Sequence, residues 1–303
     1  MSQSQFVTAL RQQLSTGQPD TIRQGLALLE GLNSPSVTEA LLSGVTLSAS
    51  GHLRVPSDAP DHLQGPLRWW VALGLLRISG ALNGVERLSL RGRRLLDLSP
   101  LEGLSSLRSV ALGFTDDIPP EPLTPLCSLP ALSHLELHTY GFPCDLSLLP
   151  TLALCSCALV GHWELADIAH IGQCVSLQAL ELEGLNRVTD ISALSALTNL
   201  HTLRLTELHE LGDDLSPLRA LERLERLELG GAYGITELSA LAGLQLLELS
   251  LVDLELSDIS ALSALPALKR LEMRETLIGR HHFSHALLDN PEDIAALIEE
   301  ARH

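Results

Sequence analysis

Residues 190–207 read DISALSALTNLHTLRLTE. Leu194, Leu197, Leu200, Leu203 and Leu205 fall three, three, three and two residues apart. A step of three suits a tight helical or 3₁₀ turn, and a step of two suits a strand, where alternate side chains share a face. The stretch therefore runs from a compact turn into a short strand. It cannot bury its leucines alone and needs copies of itself to stack against.

The copies are present. The pattern L-x-x-L-x-L recurs at Val85/Leu88/Leu90, Leu107/Val110/Leu112, Leu132/Leu135/Leu137 and Leu154/Cys157/Leu159. It continues at Leu177/Leu180/Leu182, Leu200/Leu203/Leu205, Leu224/Leu227/Leu229, Leu246/Leu249/Leu251 and Leu268/Leu271/Met273. Successive first positions are 22, 25, 22, 23, 23, 24, 22 and 22 residues apart, which predicts nine strands at nearly constant period. In the segments DLSPLEGLSSLRSVAL, DISALSALTNLHTLRL, DLSPLRALERLERLEL and DISALSALPALKRLEM the chain resembles leucine-rich-repeat proteins, in particular the bacterial internalin-like class, over residues 83–276. The resemblance implies an α/β leucine-rich-repeat solenoid with a curved parallel sheet on its concave face. It also implies a binding scaffold whose partner is a protein.

Many members of that family carry Asn three residues after the last strand leucine. Here that slot holds Arg93, Thr115, Leu185, Leu208, Ala232, Leu254 and Thr276, so apolar packing is expected to hold these turns. The run LELEGLNRVTDISAL instead resembles the cysteine-containing repeat subclass, with Leu185 in the cysteine slot. Asp97, Asp190, Asp214 and Asp258 precede the convex turns and are expected to cap their free N–H groups.

The chain has 303 residues, 45% of them hydrophobic and only 3% aromatic, so the core is aliphatic. A formal charge of −17 disfavours nucleic acid and anionic membrane surfaces as partners. Five cysteines, several in or beside core positions, fit a reducing compartment. The segment MSQSQFVTALRQQ shows no signal pattern, and no apolar run reaches spanning length, so a cytoplasmic monomer is expected.

Residues 1–48 read as helical. Phe6, Leu10 and Leu14 form one stripe. Asp20 or Thr21 is placed to cap a second helix carrying Ile22, Leu26 and Leu29. Ser36 and Glu39, at capping-box spacing, begin a third with Val37, Ala40, Leu41 and Val45. Residues 49–82 contain a hairpin around Ser50-Gly51, a Pro/Gly linker (56–66) and an apolar helix with Trp69 and Trp70 that covers the open first coil of the solenoid. Residues 277–303 form a C-terminal helical cap, in which Asn290-Pro291-Glu292-Asp293 starts a helix that turns Ile294, Leu297 and Ile298 inward.

No nucleotide, hydrolase or metalloprotease fingerprint is present, and no cofactor is expected. His281, His282 and His285 have metal-compatible spacing if helical, and the alternative is a polar cap surface. Cys155, Cys157 and Cys174 read as structural thiols, with Cys157 in a strand leucine slot. Two outward rows run along the strands: Ser89, Ala111, Glu136, Ala158, Glu181, Arg204, Glu228, Ser250 and Glu272, then Arg91, Gly113, His138, Val160, Glu183, Thr206, Gly230, Val252 and Arg274. Glu181 and Glu228 flank Arg204. Phe114, His134, Glu136, His138, Tyr140, His162 and Trp163 gather aromatic and histidine groups typical of interface anchors. The concave-face binding residues expected are therefore Phe114, His134, Glu136, His138, Tyr140, Trp163, Glu181, Arg204 and Glu228. Two other readings are a regulatory or immunity-type inhibitor of a neighbouring gene's product and a metal-dependent enzyme using His281, His282 and His285 or His134, Glu136 and His138.

Overall fold

The computed structural model describes residues 2–65, 67–91, 95, 97–113, 123–140, 144–279 and 281–300. Two compact units divide the chain, residues 1–135 and 136–303.

The first unit opens with α1 (Gln3–Leu14), α2 (Pro19–Leu32) and α3 (Pro35–Leu42). Their caps differ from expectation. The capping box lies at Ser2 and Gln5. Pro19 and Pro35 occupy the first helical turn, so Gln18 and Ser34 become the N-caps of α2 and α3 in place of Asp20 or Thr21 and Ser36. The hairpin β1 (Thr46–Leu47) and β2 (Leu53–Arg54) follows in antiparallel register. Its turn residue Gly51 has φ +83°, and a Cβ there would stand 2.1 Å from the Arg87 carbonyl oxygen, so only glycine fits. The Gly51 carbonyl accepts from Ser89 N–H at 2.9 Å, which pairs the hairpin with the edge of the first repeat strand. The segment read as a linker is folded. Asp61–Leu63 forms a 3₁₀ turn, and buried His62 bonds the Leu41 carbonyl at 2.8 Å.

Helix α4 (Arg68–Ile78) is buried along most of its length. Trp70, 2% exposed, donates its indole N–H to Asp97 Oδ1 at 3.0 Å. Arg23 of α2 reaches Asp97 Oδ2 at 2.9 Å, and the Ser99 hydroxyl and N–H also bond Asp97. Burial opposes ionisation of Asp97, but these hydrogen bonds outweigh it and hold the carboxyl below its ordinary value. One carboxylate thus ties α2, α4 and the first repeat together. Asp97→Ala is expected to cost about 1–3 kcal/mol, because it removes a turn cap and leaves Trp70 N–H without its acceptor. Urea unfolding checks this, and an unchanged midpoint would show that the carboxylate is dispensable. Strands β3 (Arg87–Leu90) and β4 (Ser109–Gly113) pair in parallel, with Leu88 opposite Val110 and Leu90 opposite Leu112.

Strand β5 (His134–His138) begins at the end of the first unit and continues into the second. The second unit then carries β6 (Ser156–Val160), the single helical turn α5 (Ala169–Gly172), β7 (Ala179–Glu183), β8 (Thr202–Thr206), β9 (Arg226–Gly230) and β10 (Glu248–Val252). Short β11 (Glu255–Leu256) and long β12 (Arg270–Ile278) follow. The strands from β6 to β10, then β12, pair in parallel without slippage, so Cys157, Leu180, Leu203, Leu227, Leu249 and Leu271 form one buried column. Each expected repeat strand is present at its expected leucines.

Between strands the chain makes 3₁₀ turns such as Ser192–Ala196 and Ser216–Ala220, whose leucines are buried. Asp190, Asp214 and Asp258 each accept the N–H two residues on, at 2.7, 2.9 and 2.7 Å. Asp145 and Asp167 do the same at 2.9 and 2.7 Å. The capping carboxylate stands one residue before the formal N-cap, an Asx turn in place of an ordinary cap.

The C-terminal region is mixed in structure. Residues His281–Leu288 form β13, antiparallel to β12 and covering the free edge of the last repeat strand. Helix α6 (Pro291–Glu300) follows, with Asn290 Oδ1 accepting Asp293 N–H at 2.9 Å. Ile294 and Ile298 are buried there, and Leu297 is half-buried.

Candidate functional site: the open face of the repeat sheet

Because leucines alternate inward along each strand, the intervening residues project from the open face of the second unit. In register across the sheet stand Ala158, Glu181, Arg204, Glu228, Ser250 and Glu272. Arg204 lies 3.0 Å from Glu181, 3.3 Å from Glu228 and 4.0 Å from Glu183. Arg274 lies 3.3 Å from Glu272 and 3.8 Å from Glu228. A chain of alternating charge therefore spans five strands, β7 to β10 and β12, with β10 contributing no charge of its own to it. The sequence marks its Glu181–Arg204–Glu228 centre and sets Arg274 in the next outward row, but not the reach of Arg274 to Glu228, which depends on the last strand joining in register.

A depression of about 340 Å³ lies over this row, lined by four arginines and four glutamates, Glu181, Arg204, Glu228 and Arg274 among them. Its charge is balanced although the protein is strongly acidic. Burial pushes the Glu181 carboxyl up, Arg204 pulls it down, and the charges of Glu183, Glu136 and Glu228 add to the upward push. Thr206 Oγ1 is buried without a hydrogen-bond partner among the described residues, whereas Arg204 Nε faces Glu228 at 3.3 Å.

The remaining expected site residues are distributed unevenly. Phe114 lies outside the described residues. His134, in the first unit, is exposed and bonds Ser133 Oγ at 2.9 Å through Nδ1. In the second unit His138 Nε2 bonds Glu136, and the His138 ring lies 6.2 Å from that of Tyr140. Tyr140 and Trp163 are 52% and 46% exposed and flank Gly161.

His162 is a correction. It is 4% exposed, and Nε2 reaches the Leu137 carbonyl at 3.3 Å. It occupies the asparagine slot, three residues after Leu159, and does the work of that amide by satisfying backbone under the turn. Thr276 does the same in the last repeat, donating to the Leu251 carbonyl at 3.0 Å. Leu185, Leu208, Ala232 and Leu254 are packed in their turns as expected, Tyr140 in the same slot is exposed, and Arg93 and Thr115 lie outside the described residues.

The histidine trio is a second correction. It lies on strand β13, not on a helix, so His281 and His285 share one face and His282 points to the other. His282 lies 3.5 Å from Glu275 and His285 3.8 Å from Glu272. Among the described residues no three His, Cys, Asp or Glu side chains converge as metal ligands. All five cysteines are free thiols, and burial pushes Cys157 up to about 12 and Cys174 up to about 11. Cys157 and Cys174 are buried packing groups, held as thiols. Among the described residues no helix is long and apolar enough to cross a membrane.

A parallel strand in each repeat, an inward leucine column, Asx-started turns opposite the sheet and helices at both ends define a leucine-rich-repeat solenoid. The chain is similar in structure to an internalin, InlF, from Listeria monocytogenes, at 18% identity over 81% of this chain and 82% of that one, with a TM-score of 0.50. It also matches internalin C2 of the same organism at 26% identity, over 64% of this chain and 82% of that one, with a TM-score of 0.47. A leucine-rich-repeat protein of Leptospira interrogans matches at 18% identity, over 81% and 54% of the two chains, with a TM-score of 0.39. The likeness to InlF is one of fold. No protein-family model matches the sequence, and no curated protein matches it.

Proposed function

We propose that this chain is a non-catalytic scaffold that recognises a protein partner on the concave, open face of its repeats. The observation that carries the proposal is the in-register Glu181–Arg204–Glu228 row above the depression, extended by the ion pair of Glu228 with Arg274 from the neighbouring row. Leucines beneath each strand hold these groups in place, so little ordering is needed on binding. Balanced charge supports a polar protein surface as the partner, and the overall charge of −17 argues against nucleic acid. Free thiols support a reducing, cytoplasmic setting.

Tyr140 and Trp163 are proposed as anchors at the edge of this face, with Glu136 and His138 beside Tyr140. The test is affinity capture of the partner from the source cell, followed by titration against Tyr140→Ala and Trp163→Ala. Each substitution is expected to weaken binding about tenfold or more while leaving the melting temperature unchanged. Affinity and stability both equal to the parent's would remove these two residues from the interface.

A further inference from the structure

Four residues after the last strand leucine, consecutive repeats of the second unit place Trp163, Asn186, His209 and Tyr233. Their strands pair residue for residue, so the four form a column beside the open face, on the turns that leave the strands. His209 Nδ1 lies 3.1 Å from Asn186 Oδ1. The His209 and Tyr233 rings stack at 5.3 Å and 19°. Tyr233 is 56% exposed, and its hydroxyl donates to Asp253 Oδ2 at 3.4 Å.

Asp253 and Glu207 stand just after β10 and β8, with φ of +49° and +55°. The equivalent places after β6, β7 and β9 are Gly161, Gly184 and Gly231. Carboxylates thus occupy left-handed positions that glycine takes elsewhere. The charge of Asp253, and further off that of Glu207, holds the Tyr233 phenol above its ordinary value, so both acids act on the same ring. Among the described residues no Lys or Arg pairs with Asp253 or Glu207, although the neighbouring pair Glu164–Arg187 closes at 2.7 Å.

We propose that the stacked His209–Tyr233 pair, with Asp253 and Glu207 beside it, receives a lysine or arginine side chain of a partner protein. The exposed ring offers its negative face to the cation, and the two carboxylates complement its charge. A neutral or acidic partner would leave the carboxylates uncompensated. This inference stands apart from the open-face reading, and the variants below leave that face unchanged.

The test titrates octalysine into the full chain at physiological salt, following the His209 and Tyr233 ring resonances. Saturable shifts of both rings are expected. Tyr233→Ala, which leaves net charge unchanged, is expected to weaken binding at least tenfold, as is Asp253→Asn combined with Glu207→Gln. Tyr233→Phe keeps the ring and is expected to bind nearly as the parent does. Equal binding by the parent and Tyr233→Ala would trace the effect to overall acidity and overturn the proposal. So would unshifted His209 and Tyr233 rings, or a loss with Tyr233→Phe as large as with Tyr233→Ala. If Tyr233→Ala does not fold, the carboxylate pair against Tyr233→Phe decides: parental binding by the former, or lost binding by the latter, overturns the proposal.

Discussion

Leu203→Ala lowers the free energy of unfolding by about 2–5 kcal/mol, the range for a buried leucine whose surroundings cannot collapse onto the void. Leu203 is buried in β8, between Leu180 of β7 and Leu227 of β9. Both neighbours are fixed by their own strands, and the turn leucines Leu194, Leu197 and Leu200 close the coil beneath. In a repeat array the loss also weakens the interfaces with the coils on either side. Chemical denaturation of the parent and the variant measures the effect. An unchanged midpoint would mean that Leu203 does not bear on the core at all.

His162→Asn changes the acid stability of the protein more than its neutral stability. Burial pushes His162 down to about 4; the bond to the Leu137 carbonyl opposes this, and the charge of His138 adds to the lowering. The folded chain therefore keeps the ring neutral where the unfolded chain, near the ordinary value of 6.5, takes a proton. As pH falls through 6.5 the unfolded state binds more protons, and stability is lost progressively until the folded ring itself titrates near 4. The full loss is on the order of 3 kcal/mol. Asparagine suits this slot. Its amide can donate to the same carbonyl, and it does not titrate. The variant should match the parent within about 1 kcal/mol at pH 7. Between pH 7 and 4.5 it should lose much less stability than the parent, with His62, lowered by burial in the first unit, still contributing. Parallel pH profiles for the two chains would show that His162 is not the buried titrating group described here.

Much of the fold could be read directly from leucine spacing, because a step of three and a step of two have different geometries and the same switch recurs nine times. Asp190, Asp214 and Asp258 were legible as caps for the same reason: an acid at a fixed offset before a turn has a backbone N–H to meet. What could not be read depends on contacts outside the local window. Nothing within His281–Leu288 states that β12 needs an antiparallel neighbour on its free edge, and the residue spacing equally suits a helix. His162 was misassigned although its signal was available, since counting three residues beyond Leu159 places it in a structural slot. The proline at each helix start decided the caps of α2 and α3 over Asp20, Thr21 and Ser36. The His209–Tyr233 stack joins residues 24 apart in sequence, and only the exact pairing of β8 with β9 brings them together.

The binding surface is tested most directly by filling it. Ala158 and Ser250 both line the depression and carry no core packing. Replacing both with tryptophan blocks the open face without touching a leucine column. If that face receives the partner, the melting temperature stays at the parent's value and affinity for the captured partner falls by about a hundredfold or more. A partner that binds the doubly substituted chain as tightly as the parent would contradict the concave face as the site of recognition.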